Sequence, residues 1–216
     1  DELSAIAYGD GVYIAAGDNG RIAVTSDGAE WSSDESVASF DLHSIAFGGG
    51  LFVAAGEFGG VVASGDAGET WETSVVGSGI IRSLLYAQEM FFAANGSEIY
   101  HSGDGLLWEL AATTDIKPVA GIGQLLIGLK GAVLYRSLDR GVSWEELYAL
   151  EPGIPIYAAE LSGDYFSSSR HMALGMRGWG NRRQVRNGQQ PLRRSGGPRS
   201  REPLHWLPYR GRGRRR

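Results

Sequence analysis

With 216 residues and 43% hydrophobic content, the chain is long enough to bury a core as one ordinary domain. It contains no cysteine, which excludes disulfides, CxxC redox chemistry, thiolate zinc sites and a Cys nucleophile. The net charge of −5 conceals two opposite regions: residues 1–169 hold 6 Lys/Arg against 24 Asp/Glu, a net of −18, and residues 170–216 hold 14 Arg against Glu202 alone, a net of +13.

Such a reversal of charge marks a boundary, and the acidic part excludes nucleic acid as its partner, because a phosphate-binding surface is basic. No apolar run approaches the roughly 20 residues that a membrane-spanning helix needs. The 33 glycines fall in clusters such as GDG, GGG, GEFGG and SGDG, which suits many tight turns between short strands.

From the first residues the chain alternates short apolar runs with turn signals. Ser4–Tyr8, Val12–Ala16 and Arg21–Thr25 read as three strands, and a fourth begins near Trp31; Gly-Asp, Asp-Asn-Gly and Ser-Asp-Gly turns separate them. The same four-strand pattern then repeats. LSAIAYGDGVYIAAGDNGRIAVTSDGAEW, LHSIAFGGGLFVAAGEFGGVVASGDAGETW, IRSLLYAQEMFFAANGSEIYHSGDGLLW and VAGIGQLLIGLKGAVLYRSLDRGVSW superpose with few gaps and end on Trp31, Trp71, Trp108 and Trp144, at intervals of 40, 37 and 36 residues.

A four-stranded antiparallel unit of about 40 residues is the blade of a β-propeller. The sequence therefore predicts an all-β chain with blades at about 1–38, 39–77, 78–114 and 115–152. A partial fifth follows at 153–166, and an irregular tail at 167–216.

Each third hairpin carries the same residue types. The second reads Ser64-Gly65-Asp66-Ala67-Gly68-Glu69-Thr70-Trp71 and the fourth Ser137-Leu138-Asp139-Arg140-Gly141-Val142-Ser143-Trp144. The first, with Ser26, Asp27, Gly28 and Trp31, and the third, with Ser102, Asp104, Gly105 and Trp108, are one residue shorter between Asp and Gly. An Asp carboxylate can accept hydrogen bonds from turn N–H groups, Gly supplies the positive φ, and Trp covers the hairpin with a large apolar face.

Four such hairpins in register resemble the Asp-box, or bacterial neuraminidase repeat, whose pattern is S-x-D-x-G-x-T-W. The resemblance covers residues 1–166 and extends to the propellers of sialidases, sortilin-type receptors and photosystem II assembly factors. It implies that the Asp-box residues clamp hairpins, that no cofactor or metal is needed, and that an extracytoplasmic setting is favoured; the residues themselves leave the compartment open.

A sialidase grips the sugar carboxylate with three arginines and uses a Tyr/Glu pair and an Asp acid. The repeats contain only Arg21, Arg82, Arg136 and Arg140, scattered over third strands, a first strand and a hairpin turn, and no Arg-Ile-Pro sequence occurs. The expectation is a non-enzymatic binding or scaffolding module for a protein or cell-surface glycan; a piece of a sialidase-like hydrolase whose catalytic residues lie elsewhere is the alternative. His43, His101, His171 and His205 lack the spacing of a metal site.

Binding is expected at the blade ends opposite the Asp-box hairpins, where second-to-third turns and inter-blade connections converge. The candidates are Asp18, Asn19, Glu57, Phe58, Asn95 and Lys130 in the turns, and Asp41, His43, Arg82 and Lys117 near the starts of first strands. For any one position a solvated turn residue is the competing reading.

The tail changes to Arg, Gly, Pro and Gln within the fifth repeat, just after Gly163-Asp164-Tyr165-Phe166. An out-of-frame translation of GC-rich coding sequence produces that mixture at an arbitrary point, and a basic arm for RNA or acidic surfaces is the alternative. An incomplete row of blades leaves open edges, so self-association is also expected.

Overall fold

The computed structural model describes residues 2–32 and 35–149, together with the backbone of four short strands further along, Ala159–Ser162, Tyr165–Ser168, Met172–Gly175 and Trp206–Pro208. It forms two compact units, residues 1–149 and 150–216.

The first unit is four blades, each a meander in which consecutive strands are antiparallel neighbours. Blade one comprises β1 (Leu3–Gly9), β2 (Val12–Gly17), β3 (Arg21–Thr25) and the two-residue β4 (Glu35–Ser36). Blade two comprises β5 (Leu42–Gly48), β6 (Leu51–Gly56), β7 (Gly60–Ser64) and β8 (Glu72–Val75). Blade three runs β9 (Ser83–Ala87), β10 (Met90–Ala94), β11 (Glu98–Ser102) and β12 (Glu109–Thr113), and blade four β13 (Lys117–Ile122), β14 (Leu125–Lys130), β15 (Val133–Ser137) and β16 (Glu145–Ala149). The strands read from the first repeat lie within these bounds, except that Glu35–Ser36 starts four residues after Trp31.

Alternation along a strand sends successive side chains to opposite faces. In the second strands neither face is polar (Tyr13-Ile14-Ala15-Ala16; Phe52-Val53-Ala54-Ala55), the pattern of a strand covered on both sides, and blade two is so covered, by blades one and three. Three apolar clusters result. Ile14, Ala16 and Ile22 of blade one meet Leu42, Ile45, Phe52, Ala54 and Val62 of blade two. Val53, Ala55 and Val61 meet Ile81, Leu84 and Phe91 of blade three, and Phe92, Ala94 and Ile99 meet Leu126 of blade four.

Successive blades interlock at the end of the first strand. A Cβ placed on Gly9 would run into the Phe47 ring of blade two, and one on Gly48 into the Tyr86 ring of blade three. Blade four has Gly121 at the position of Tyr86, and there blade three supplies Ala87 instead of glycine, with its methyl filling the space over Gly121. The two positions trade volume so that each contact stays filled, as close packing requires.

The second unit contains one sheet in which Ala159–Ser162, Tyr165–Ser168, Met172–Gly175 and Trp206–Pro208 pair antiparallel in that order. Strand pairing there extends past Phe166, and the junction between the compact units falls at 149/150, earlier than the 166/167 boundary read from composition. Trp179 and most of the Arg-rich segment lie outside the described residues.

Candidate functional site

A four-stranded meander places its first-to-second and third-to-fourth turns at one end and its second-to-third turns and inter-blade connections at the other. The first end carries the Asp-bearing hairpins, and their polar atoms are spent internally. In blade two the Asp66 carboxylate accepts the Thr70 N–H at 2.9 Å, the Thr70 hydroxyl at 2.6 Å and the Ser64 hydroxyl at 2.8 Å. The Ser64 oxygen in turn accepts the Gly68 N–H at 2.9 Å, and the Trp71 indole N–H is donated to the Gly68 carbonyl at 3.2 Å.

Blade four repeats this set with Asp139, Ser143, Ser137, Gly141 and Trp144. The shorter hairpins solve the same problem differently. Asp104 accepts the N–H groups of Leu106 and Leu107, and Asp27 those of Ala29 and Glu30, with no hydroxyl at the Thr70 position. In blade one the hydroxyl that bonds Asp27 and the Gly28 N–H is that of Thr25, and Ser26, read from the sequence as the motif serine, stands aside.

These bonds go to the ionised carboxylates and therefore favour them. The Thr70 hydroxyl and N–H, with Ser64, hold Asp66 at about 2. Asp139 is lowered by Ser143 in the same way. Backbone N–H groups lower Asp27, those of Ala29 and then Glu30, and Asp104, those of Leu107 and then Leu106.

At the opposite end most of the predicted residues also bond locally. The Asp18 carboxylate accepts the Glu2 N–H at 2.9 Å, and Asp41 accepts the Asn19 N–H at 2.8 Å. Asn95 donates to the Ser78 carbonyl at 2.8 Å and to Glu98 at 2.9 Å while accepting the Ser97 and Glu98 N–H groups. Glu98 also accepts the Tyr100 hydroxyl at 2.8 Å. Asn95 and then Tyr100 lower the Glu98 carboxyl, and burial together with Glu98 raises the Tyr100 phenol. Lys130 pairs with Asp115 at 2.6 Å across an exposed surface.

Phe58 is different. It lies at the tip of the blade-two turn Glu57–Gly59, with φ 58° and a side chain that is 75% exposed. The turn that presents it is tied down on both sides: the Glu57 N–H is donated to the Asp41 carbonyl at 3.0 Å, the Gly59 N–H to the Gly79 carbonyl at 2.6 Å, and the Val76 N–H to the Gly59 carbonyl at 2.8 Å. Asn19 occupies the equivalent place in blade one at φ 54°, a conformation that Asn tolerates well and Phe does not.

The structure brings His43, Arg82 and Lys117 to the starts of adjoining first strands at this same end; His43 occupies an irregularity between Leu42 and Ser44, and its Nε2 is buried without a hydrogen-bond partner. Arg82 and Lys117 are exposed and form no ion pair among the described residues. The other arginines do not join them. Arg21 and Arg136 sit on third strands of blades one and four, Arg136 pairs with Glu145 at 2.7 Å, and Arg140 lies in a hairpin turn at φ 57°.

Sequence reasoning missed the Glu98–Tyr100 link and the Asp115 partner of Lys130. Glu98 and Tyr100 two apart on a strand share a face, which is a usable signal, whereas Asp115 and Lys130 lie on opposite sides of a hairpin and meet only through its register.

No protein-family model matches the sequence, and no curated protein does. Solved structures do match in shape. YCF48 from Cyanidioschyzon merolae superposes with a TM-score of 0.59 at 14% identity, over 80% of this chain and 66% of that one. A structure of YCF48 bound to D1 peptide gives 0.60 at 13% identity over 80% and 64%, and a chain of a nidogen/laminin complex 0.59 at 13% over 81% and 76%. The fold is that of a partial β-propeller. This chain spans a little under two thirds of the length of the YCF48 structures, and at these identities the likeness establishes the fold alone.

Proposed function

We propose that this chain is a non-enzymatic binding module whose propeller blades, of the Asp-box type, present a peptide or protein partner with the end formed by the second-to-third turns, centred on Phe58. The observation that carries this reading is the exposed Phe58 ring held at positive φ on a hydrogen-bonded turn. A bulky residue in the left-handed region costs roughly 1–3 kcal/mol, and such strain clusters at functional sites.

A rigidly presented aromatic side chain loses little freedom on binding, which is why aromatic residues are enriched among interface anchors. The flanking Asp18, Asp41 and Glu57, in a region of net charge −18, favour a partner segment that pairs an apolar side chain with Lys or Arg. Two of the similar structures hold polypeptide partners, YCF48 with D1 peptide and nidogen with laminin. The dispersal of Arg21, Arg136 and Arg140 away from Arg82 supports the non-enzymatic part of the reading.

Selection of a displayed random peptide library on the immobilised chain tests it. Peptides containing an apolar residue next to Lys or Arg are expected to enrich, and to lose at least tenfold in affinity against Phe58→Ala. A parallel assay with a fluorogenic sialoside is expected to give no turnover above buffer; turnover would overturn the non-enzymatic reading.

A further inference from the structure

Blades one and two carry nearly the same residues on corresponding faces and bury them to opposite degrees. Leu42, Ile45 and Phe52 of blade two are 0%, 8% and 1% exposed because blade one covers them; their counterparts Leu3, Ile6 and Tyr13 are 50%, 57% and 40% exposed. Tyr8, the counterpart of Phe47 and Tyr86, stacks on Tyr13 at 4.6 Å between ring centres and is otherwise open to solvent. Gly28 repeats the difference. Its counterpart Gly68 lies so close to blade one that an added Cβ would stand 2.9 Å from Ile14 and 3.2 Å from Val24, whereas around Gly28 there is nothing within 4 Å.

We infer that this outer face of blade one is the seat of a further four-stranded blade of the same repeat, carried by polypeptide outside these 216 residues. Its first strand closes on glycine, and an apolar pair stands at its Ile14 and Val24 positions, as Val53 and Ala63 do in blade two.

The complementary surface is specified by a contact already present twice in the molecule. Phe47 needs Gly9 and Tyr86 needs Gly48, so Tyr8 needs a glycine at the same place in its neighbour. Blade four cannot supply it, because Ile122 stands at that position. A second copy of the chain cannot supply it either, since Gly9 and Gly48 are occupied within each copy by Phe47 and Tyr86. Contiguous apolar surface of this kind on a sheet face marks an interaction site rather than a solvent boundary.

The test extends the full chain at its start with a second copy of residues 39–78, so that the added blade ends its first strand on glycine and, with Asp1 and Glu2 in place of residues 79 and 80, precedes Leu3 as blade two precedes Ile81. The expected result is a monomer whose unfolding midpoint lies at least about 4 °C above that of the parent. Gly48→Val in the added copy, or Tyr8→Ala, is expected to abolish the gain, while Tyr8→Ala in the parent chain changes the midpoint little because the ring is exposed there. No gain, or a gain that survives Gly48→Val in the added copy, overturns the inference. So does a parent chain that sediments as a dimer and becomes monomeric on Tyr8→Asp, since the occupant is then a second copy. None of these readouts involves Phe58, so the proposed binding site stands or falls separately.

Discussion

The two ends of the blade row are built from similarly tied turns and differ in what they expose. At the hairpin end, Asp66 and Asp139 each accept three hydrogen bonds from within their own hairpin, and Trp71, Trp108 and Trp144 donate theirs to a glycine carbonyl three residues back. At the opposite end the backbones are equally well tied, by Asp41, Gly79 and Ser78, yet Phe58 stands in solvent. The difference teaches that the most recognisable residues of a repeat are those that complete its local structure; Phe58 differs in combining a left-handed backbone, which Ala67 and Arg140 of the hairpins also adopt, with a large exposed aromatic ring.

Substitutions sharpen that comparison by separating stability from binding. The core between the ends sets the scale: Phe52→Ala removes a fully buried ring shared by blades one and two and is expected to cost about 3–5 kcal/mol in urea unfolding. Ser64→Ala at the hairpin end removes a buried hydroxyl that bonds the part-buried Gly68 N–H and the exposed Asp66 carboxylate, for an expected loss of about 0.5–1.5 kcal/mol.

The hairpin aspartates also give that end a pH signature. Their folded-state values lie below the ordinary carboxylate value, so the stabilisation is complete above the unfolded value and is lost as pH falls through the folded one. Since unfolded Asp titrates near about 3.9 and folded Asp66 at about 2, the urea midpoint is expected to hold above pH 5 and to decline from about pH 4 towards pH 2. Asp66→Asn is expected to flatten part of that decline. At the other end Phe58→Gly relieves the left-handed strain, and stability is expected to stay level or rise by up to about 1 kcal/mol.

Much of this architecture was legible in the sequence because its determinants are local. Trp31, Trp71, Trp108 and Trp144 mark the period, and the Gly-containing turns between them set the strand limits. Tertiary identity was less legible. Thr25 and Ser26 both precede Asp27, and only the strand register decides which hydroxyl faces the turn. Leu3 and Leu42 are the same residue in the same motif, and nothing in either segment tells which one a neighbouring blade covers. Phe58 was singled out from its place in the repeat, but its positive φ depends on the fold of the Glu57–Gly59 turn, which the letters Glu-Phe-Gly do not dictate.

The claim that the turn end binds polypeptide is tested most directly by comparing Phe58→Ala with Leu107→Ser, an exposed apolar residue at the hairpin end, for affinity to library-selected peptides. Binding lost by at least tenfold in the first variant and retained in the second, with both as stable as the parent, is the predicted result. Equal binding by the parent and Phe58→Ala, or loss confined to Leu107→Ser, would contradict it.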